Sequence, residues 1–542
     1  MRVPEWFKEA IVYSLDFRSF KDGNRDGFGD ISGLLSKFDY LVDLGVTCIW
    51  LAPFYCSNQQ DDGYDVTDYY QIDPNFGALE DFRRLVEKAK ENDIKIVLDL
   101  VVNHTSDAHP WFKTALENPS SVYHDYYIWM KQKPENDKED VVFQGVEESN
   151  WEYSPAASAY FYHTFYKHQP DLNVANPAVQ SEILRIIDFW MSKGIDGFRI
   201  DAVPHILRDK GDSRFDGDPY DLLNEWRSAI AKHNEQAVII GEADVDPEGY
   251  VSFLDRGRMT ALFNFYLNNY TFLAFAVREA APLFNALRRL PLADGRRYLN
   301  FLRNHDELDL ERLTEDEQQQ VFEAFAPSPT MIIYERGIRR RLSSMVEHDS
   351  RRMKFAMSLL LTLPGVPVIR YGEEIGMGDD LNLPERKSVR TAMQWTDDPN
   401  GGYSEVPPQA LKYPLIQEGA ASYERVNVSS QLADGESLLC ETKAMIRLRK
   451  DNGHRFYDGK FMLFDTNHQA ILAYGYRNTS GWLVIVHNFS DSMLEATVPL
   501  TGISDNSVSP VLNAGNVIPS NGKLTQHLPG YGYSWFIVHD NV

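Results

Sequence analysis

Cysteine is scarce in this chain. Cys48, Cys56 and Cys440 are the only three in 542 residues, too few and too scattered for a disulfide framework or a Cys-x-x-Cys metal site. Basic charge is short as well: 54 Lys and Arg stand against 79 Asp and Glu, a formal net charge of −25. A surface that acidic repels phosphate backbones and anionic lipid, which argues against nucleic-acid and membrane-surface partners. No apolar run approaches the roughly 18 residues a membrane helix needs. The opening MRVPEWFKEAIVYSLDF has no basic stretch, apolar core and cleavage site of a secretory leader, so a cytoplasmic chain is expected. Also missing are a Gly-x-Gly-x-x-Gly or Walker loop in a strand–turn–helix setting, and a Cys or Ser with an activating partner at short range.

What is present is a regular alternation. Apolar residues make up 43% and aromatics 13%, enough for a large core. Short β-branched or apolar runs at Ala10–Leu15, Thr47–Pro53, Lys95–Val101, Asp196–Asp201, Val238–Glu242, Ala261–Phe265, Tyr298–Asn304 and Val366–Tyr371 alternate with amphipathic stretches such as Leu79–Asn92 and Val179–Lys193. Eight strand–helix repeats predict an α/β fold, a (β/α)8 TIM barrel over 1–103 and 172–452. The aromatic, non-periodic segment 104–171 reads as an inserted subdomain after the third strand, and the charged segment 311–352 as a helical cap after the seventh. Arg339–Arg341 are placed in a helix of that cap. Region 453–542, with short alternating runs broken by Gly, Asn and Asp, predicts a C-terminal antiparallel β-sandwich.

In such a barrel, reactive groups belong at the C-terminal ends of strands. Here strand after strand ends in a carboxylate or imidazole: Asp99 with Asn103 and His104, Arg199 with Asp201, Glu242, and His305 with Asp306 and Glu307. One Asp after a strand is commonly a helix cap, but four strands ending this way on one rim point to carboxylate chemistry. Glycoside cleavage needs two acids facing one bond, one attacking the oxocarbenium-like carbon and one protonating the leaving oxygen. Asp201 suits the nucleophile, since Arg199 two residues earlier shares its strand face and would hold it ionised. Glu242 ends the apolar run AVIIGE, where burial should raise its pKa as a general acid needs. Asp306 could hold sugar hydroxyls as the ring distorts.

The blocks DLVVNH (Asp99–His104), GFRIDAV (Gly197–Val203), GEAD (Gly241–Asp244) and RNHDE (Arg303–Glu307) resemble the four signature blocks of the α-amylase family, glycoside hydrolase family 13. QPDLN (Gln169–Asn173) and GVPVIRYGEEIGM (Gly365–Met377) resemble two further blocks. The resemblance implies a retaining double displacement with Asp201 as nucleophile, Glu242 as acid/base and Asp306 as stabiliser. It places His104, Arg199 and His305 around the −1 sugar. DDGYDV (Asp61–Val66), NHTSDAHPWF (Asn103–Phe112) and VRTAMQW (Val389–Trp395) look like the trehalose synthase branch. That likeness implies that Asp65 and Arg390 pair to close the non-reducing end, with Tyr64 stacked under the sugar. It implies an enzyme interconverting maltose and trehalose, with an exo-acting α-glucosidase or transglucosidase as the alternative and a small di- or oligosaccharide as substrate. The chain departs from the branch at Ala243–Pro247, where Asn-Gln-Trp-Pro is typical, and at Leu262–Phe272; both should border the acceptor. The sequence leaves a homo-oligomer open and calls for no organic cofactor.

DGNRDGFGD sets Asp22, Asn24, Asp26 and Asp30 at positions 1, 3, 5 and 9, with the Phe28 carbonyl at 7. This resembles the start of a calcium loop, so a structural Ca2+, or Mg2+, is expected there. The branch often holds a second calcium at the residues matching Asn103 and Asp171. Here Arg208 stands about where a further acid should be, and a guanidinium in the ion's place is expected.

Overall fold

The computed structural model describes residues 3–138, 141–291, 297–500 and 508–539. Its centre is a closed barrel of eight parallel strands: β1 (Val12–Leu15), β2 (Cys48–Leu51), β3 (Lys95–Leu100), β4 (Gly197–Ile200), β5 (Val238–Gly241), β6 (Ala261–Phe263), β7 (Tyr298–Phe301) and β8 (Val366–Arg370). Each falls inside one of the apolar runs of the sequence, and all but β1 end one to three residues before their run does, because the last residues of those runs leave the ladder to form the rim. Side chains alternate along each strand. Val12, Cys48, Trp50, Val97, Val238, Ile240, Phe263, Leu299, Phe301 and Val368 fill the barrel interior. The intervening residues, such as Ile49, Leu98, Ile239 and Ile369, pack outward with the helical layer. The interior is thus solid, and a substrate can meet the barrel only at its ends.

Three additions sit on this frame. The segment after β3 carries a helix (Pro110–Glu117) and a three-stranded antiparallel sheet from Trp129–Met130, Trp151–Ser154 and Ala159–Tyr162. It returns to the barrel beside its own start, where His104 and Asp171 form an isolated β-bridge. The segment after β7 is not simply helical. It holds a helix at Glu315–Phe325 and a small sheet in which Ile332–Ile333 pairs with Gly337–Ile338 and the latter with Leu308–Asp309. Tyr334 and Glu335 turn the hairpin at φ 53° and 60°, a conformation their side chains do not advertise. Arg339–Arg341 are not helical either. They run extended, their guanidinium groups satisfying carbonyls such as Leu383, Phe325 and Tyr371.

The C-terminal region forms two antiparallel sheets. Five strands run through Lys460–Phe464, Ile471–Asn478, Gly481–Asn488, Tyr533–Val538 and Val508–Leu512; three run through Leu494–Pro499, Lys523–Leu528 and Ile518–Ser520. Their inner faces share a core of Val484, Val486, Ala496, Val498, Leu524 and Phe536. No described helix is long and apolar enough to cross a membrane.

Candidate active site

The C-terminal ends of β3, β4, β5 and β7 open into one cavity of about 440 Å³, lined by Asp201, Glu242, Asp306, Tyr64, His104, His305, Glu307 and Asp61. The volume is in the range of small-ligand pockets. Val142 and Phe143 of the segment after β3 line it from above, and Asp309, Glu311, Arg312 and Arg336 from the segment after β7 form another wall.

Arg199 organises the floor. Asp99 and Arg199 are register partners across β3 and β4, so the two side chains meet as a consequence of sheet pairing. The guanidinium donates to Asp99 Oδ1 and Asp201 Oδ1, each at 2.6 Å, and Nη2 lies 2.7 Å from Glu242 Oε2. Asp99 also accepts from Trp50 Nε1 at 3.2 Å and the Tyr64 hydroxyl at 3.0 Å. Directly after Asp201, Ala202 takes φ 48°, turning the chain from strand to helix so that the carboxylate projects at the rim. On β5, a side chain on Gly241 would bring its Cβ within 2.3 Å of Met259 Sδ, so a larger residue before Glu242 would have to displace the Met259 side chain. Glu242 Oε2 accepts from Ala202 N at 2.9 Å, linking the two acids through backbone.

The electrostatics separate the three carboxyls. Burial pushes Glu242 up to about 7 against the pull of Arg199, helped by the charges of Asp201 and Asp306. Burial also pushes Asp201 up to about 6, with Asp99 and Asp306 adding to it. Arg199 acts on Asp201 in the expected direction, lowering it, but the guanidinium is shared among three carboxylates and offsets only part of the desolvation. Asp306 is the opposite case. Burial acts against its ionisation, but His305, Arg386 and Arg390 hold it well below the usual carboxylate range. Arg386 Nη1 and Arg390 Nη2 reach Asp306 Oδ1 at 2.6 and 3.0 Å, and His305 Nε2 lies 3.0 Å from Oδ2. The Tyr64 ring stacks on His305, 5.2 Å between centroids and 10° between planes. His104 Nε2 donates to the Tyr64 carbonyl at 3.1 Å, and burial drives the imidazole down to about 4.

Asp65 is not the partner of Arg390. It is fully buried and accepts from Ser57 Oγ, Gln60 N and Asp61 N, winding the loop that presents its neighbours. Arg390 Nη1 instead donates to Asp62 Oδ2 at 2.7 Å and lies 3.5 Å from Asp61. Asp61 in turn accepts from Arg386 Nη2 at 2.7 Å and Gln169 Nε2 at 3.1 Å. Sequence reasoning passed over Asp61, Asp62 and Arg386. The Asp61-Asp62 doublet and the Arg386/Arg390 spacing were the available signals, but which acid of DDGYD faces an arginine depends on the turn at Gly63.

On the opposite side, Asp244, Asp309 and Glu311 are the described acids whose oxygens come within 4.8 Å of one another. Arg312 lies 3.1 Å from both Asp244 and Glu311, and Arg336 lies 3.0 Å from Asp309, so cations are already built into this wall. Burial, with Asp309 adding to it, raises Asp244 to about 8. Glu307 faces the same space with Oε2 unpartnered, and burial raises it to about 7.

Two cation positions were expected. At the loop of 22–30, Asp22 Oδ2 accepts from Gly27 N, Asn24 Oδ1 from Asp26 N and Asp26 Oδ1 from Phe28 N, all at 2.9 Å. Gly27 stands at φ 87°, and a Cβ there would meet the Ala410 carbonyl at 2.4 Å. The donor types and the turn fit a calcium loop, with Asp30 at the far end capping the helix Ile31–Ser36 through Gly33 N. At Asn103 and Asp171, the positive charge comes from Lys210 and not from Arg208. Lys210 Nζ donates to Asn103 Oδ1 at 2.7 Å and Asp171 Oδ2 at 2.6 Å. Arg208 lies two residues short and donates to the Tyr162 hydroxyl, because the turn after the helix Val203–Ile206 carries Lys210 inward.

Comparison with known proteins agrees with this geometry. The family described as "Alpha amylase, catalytic domain" matches residues 17–459. The chain is 38% identical to the trehalose synthase/amylase TreS of Mycolicibacterium smegmatis, covering 98% of this chain and 92% of that one. It is 36% identical to the trehalose synthase of Pimelobacter sp. over 99% and 96%. Among solved structures, the α-amylase from H. orenii superposes with a TM-score of 0.78 at 27% identity, covering 98% of this chain and all of the other.

Proposed function

Because this chain belongs to the α-amylase family, on the branch of the trehalose synthases, we propose that it interconverts maltose and trehalose by moving one glucosyl group through a covalent ester on Asp201. The observation that carries the reading is the single guanidinium of Arg199 bonded to Asp99, Asp201 and Glu242. It gathers an ionisable nucleophile and an acid with a pKa near 7 on one rim.

The steps follow from that arrangement. The Asp201 carboxylate attacks the anomeric carbon of the non-reducing glucose while Glu242 gives its proton to the glycosidic oxygen, so the C–O bond breaks and free glucose leaves. Asp306, kept ionised by His305, Arg386 and Arg390, accepts sugar hydroxyls most strongly when the ring flattens and charge develops. The Arg390–Asp62 pair closes the far end, which limits the −1 site to one terminal glucose. The released glucose then turns within the cavity. Glu242, now a base, takes the proton of its anomeric hydroxyl, and that oxygen displaces Asp201. Hydrolysis competes at the ester stage, and the segments over the cavity serve to exclude water.

Asp244 and Arg312 on the acceptor wall favour a second reading with the same donor chemistry, an α-glucosidase or a transglucosidase serving another small acceptor. Product analysis with maltose, trehalose and sucrose given separately tests both. Trehalose from maltose with little free glucose supports the isomerase. Glucose as the main product, or a new glucoside that forms only with an added acceptor, supports the second reading. We further propose a structural calcium ion held by Asp22, Asn24, Asp26, the Phe28 carbonyl and Asp30; a chelator should then lower the unfolding temperature, and Ca2+ should restore it.

A further inference from the structure

The acceptor wall of the cavity is short of positive charge. Asp244, Asp246, Glu307, Asp309 and Glu311 stand there, and among the described residues their ion pairs come from two guanidiniums. Arg312 lies 3.1 Å from both Asp244 and Glu311 and 3.9 Å from Asp246; Arg336 lies 3.0 Å from Asp309 and 3.7 Å from Glu307. Arg386, which also lines the cavity, is taken up by Asp61 and Asp306. Asp244 and Asp246 belong to the stretch 243–247 in which the chain departs from its branch.

An acidic rim by itself is no binding site, since solvent serves it well. Glu307 is a different observation. It lies outside the Asp244–Asp309–Glu311 cluster, is 8% exposed, and carries on the cavity wall a buried oxygen, Oε2, with no hydrogen-bond partner. Its stem is held in place by the hairpin, where a Cβ on Gly337 would meet Glu307 Cγ at 2.7 Å. A buried carboxylate oxygen left unpaired is costly until a donor reaches it. Burial, with the charges of Asp306 and Asp309, lifts Glu307 to about 7 against the pull of Arg386 and Arg336.

We propose that this wall receives the protonated amine of an acceptor, the ammonium donating to Glu307 Oε2 in the field of Asp244 and Asp309. An amino sugar is the acceptor class that suits a cavity shared with the donor glucose. A neutral hydroxyl would supply a hydrogen bond but no charge, whereas an ammonium supplies both. A divalent ion would need the oxygens that Arg312 and Arg336 already hold. The inference rests on the donor chemistry proposed for Asp201 and Glu242, and it gives the transglucosidase reading its acceptor. An acceptor hydroxyl attacks the anomeric carbon of the Asp201 ester, its proton passes to Glu242, and the bond to Asp201 breaks to free the carboxylate. The amine stays protonated throughout and only positions the ring.

The test gives the full-length protein maltose as donor with equimolar glucosamine and carbon-13-labelled glucose, at slightly acidic pH where the amine is charged. Both acceptors draw on the same ester, so the ratio of their products reads acceptor preference alone. The glucoside of glucosamine should exceed the labelled disaccharides by about tenfold or more, and Glu307→Gln should bring the ratio toward one. Crystals of the unaltered protein soaked in glucosamine should show the amine within hydrogen-bond reach of Glu307. A ratio near one in the unaltered protein, or glucosamine seated only at the −1 site or only on exposed acids, overturns the proposal. If maltose is not turned over at all, the donor reading fails, and the soak alone decides the amine site.

Discussion

Lys210 and Asp171 form a buried ion pair, the ammonium 2.6 Å from the carboxylate with side chains 3% and 0% exposed. Burial lowers Lys210, and Lys210 with His104 holds Asp171 below the usual carboxylate range against its own burial. The ammonium also bonds Asn103, next to His104, so it ties the segment after β3 to the barrel.

Removing one partner of such a pair leaves the other buried and uncompensated. Lys210→Ala should therefore cost about 3–5 kcal/mol of stability, measured by denaturant unfolding. Added Ca2+ should restore part of it by entering the vacated position. The unaltered chain should gain nothing from Ca2+ at this position.

The rate should depend on pH through two carboxyls. Asp201 must be ionised and Glu242 protonated, with pKa values near 6 and 7. A narrow bell in kcat/KM follows, its acidic limb from Asp201 and its alkaline limb from Glu242. Glu242→Gln should lower kcat by about 10²–10⁴-fold and abolish the alkaline limb. Stopped assays across pH 4.5–9 check both.

Arg390 touches Asp62, Asp306 and the His305 carbonyl, whereas Asp65 bonds, among the described residues, to Ser57, Gln60 and Asp61 of its own loop. Arg390→Ala should lower kcat/KM on maltose by roughly 10²-fold or more. Asp62→Asn should act mainly through KM. Asp65→Asn should show chiefly as a lower unfolding temperature. Steady-state kinetics and thermal melts on the three variants separate these roles.

Asp244 titrates near 8 in the folded chain because burial and Asp309 disfavour its charge. Between the ordinary carboxylate range and about pH 8, the folded state keeps a proton that the unfolded chain has lost, so this group's contribution to stability falls as pH rises through that window. Asp244→Asn removes the penalty. Its unfolding temperature should exceed the parent's at pH 8.5 by on the order of 1–2 °C and match it at pH 4. The ratio of transfer to hydrolysis should change as well, because Asp244 lines the acceptor wall.

The eight strands, their order and the acids at their ends were legible from the chain alone, because strand period and burial leave a strong pattern in composition. Glu242 after AVIIG and Asp201 two residues after Arg199 are local facts of that pattern. What the sequence left open were contacts between loops. Asp62 rather than Asp65 meets Arg390, Lys210 rather than Arg208 neutralises Asp171, and Tyr334–Glu335 turn a hairpin within a segment that reads as helix. In each case a shift of one to three residues decides which side chain faces inward, and loop windings of that size carry no periodicity. The sharing of Arg199 among Asp99, Asp201 and Glu242 also needed the barrel, since only the register of β3, β4 and β5 brings Asp99 and Glu242, both distant in sequence, to the guanidinium that Asp201 already adjoins.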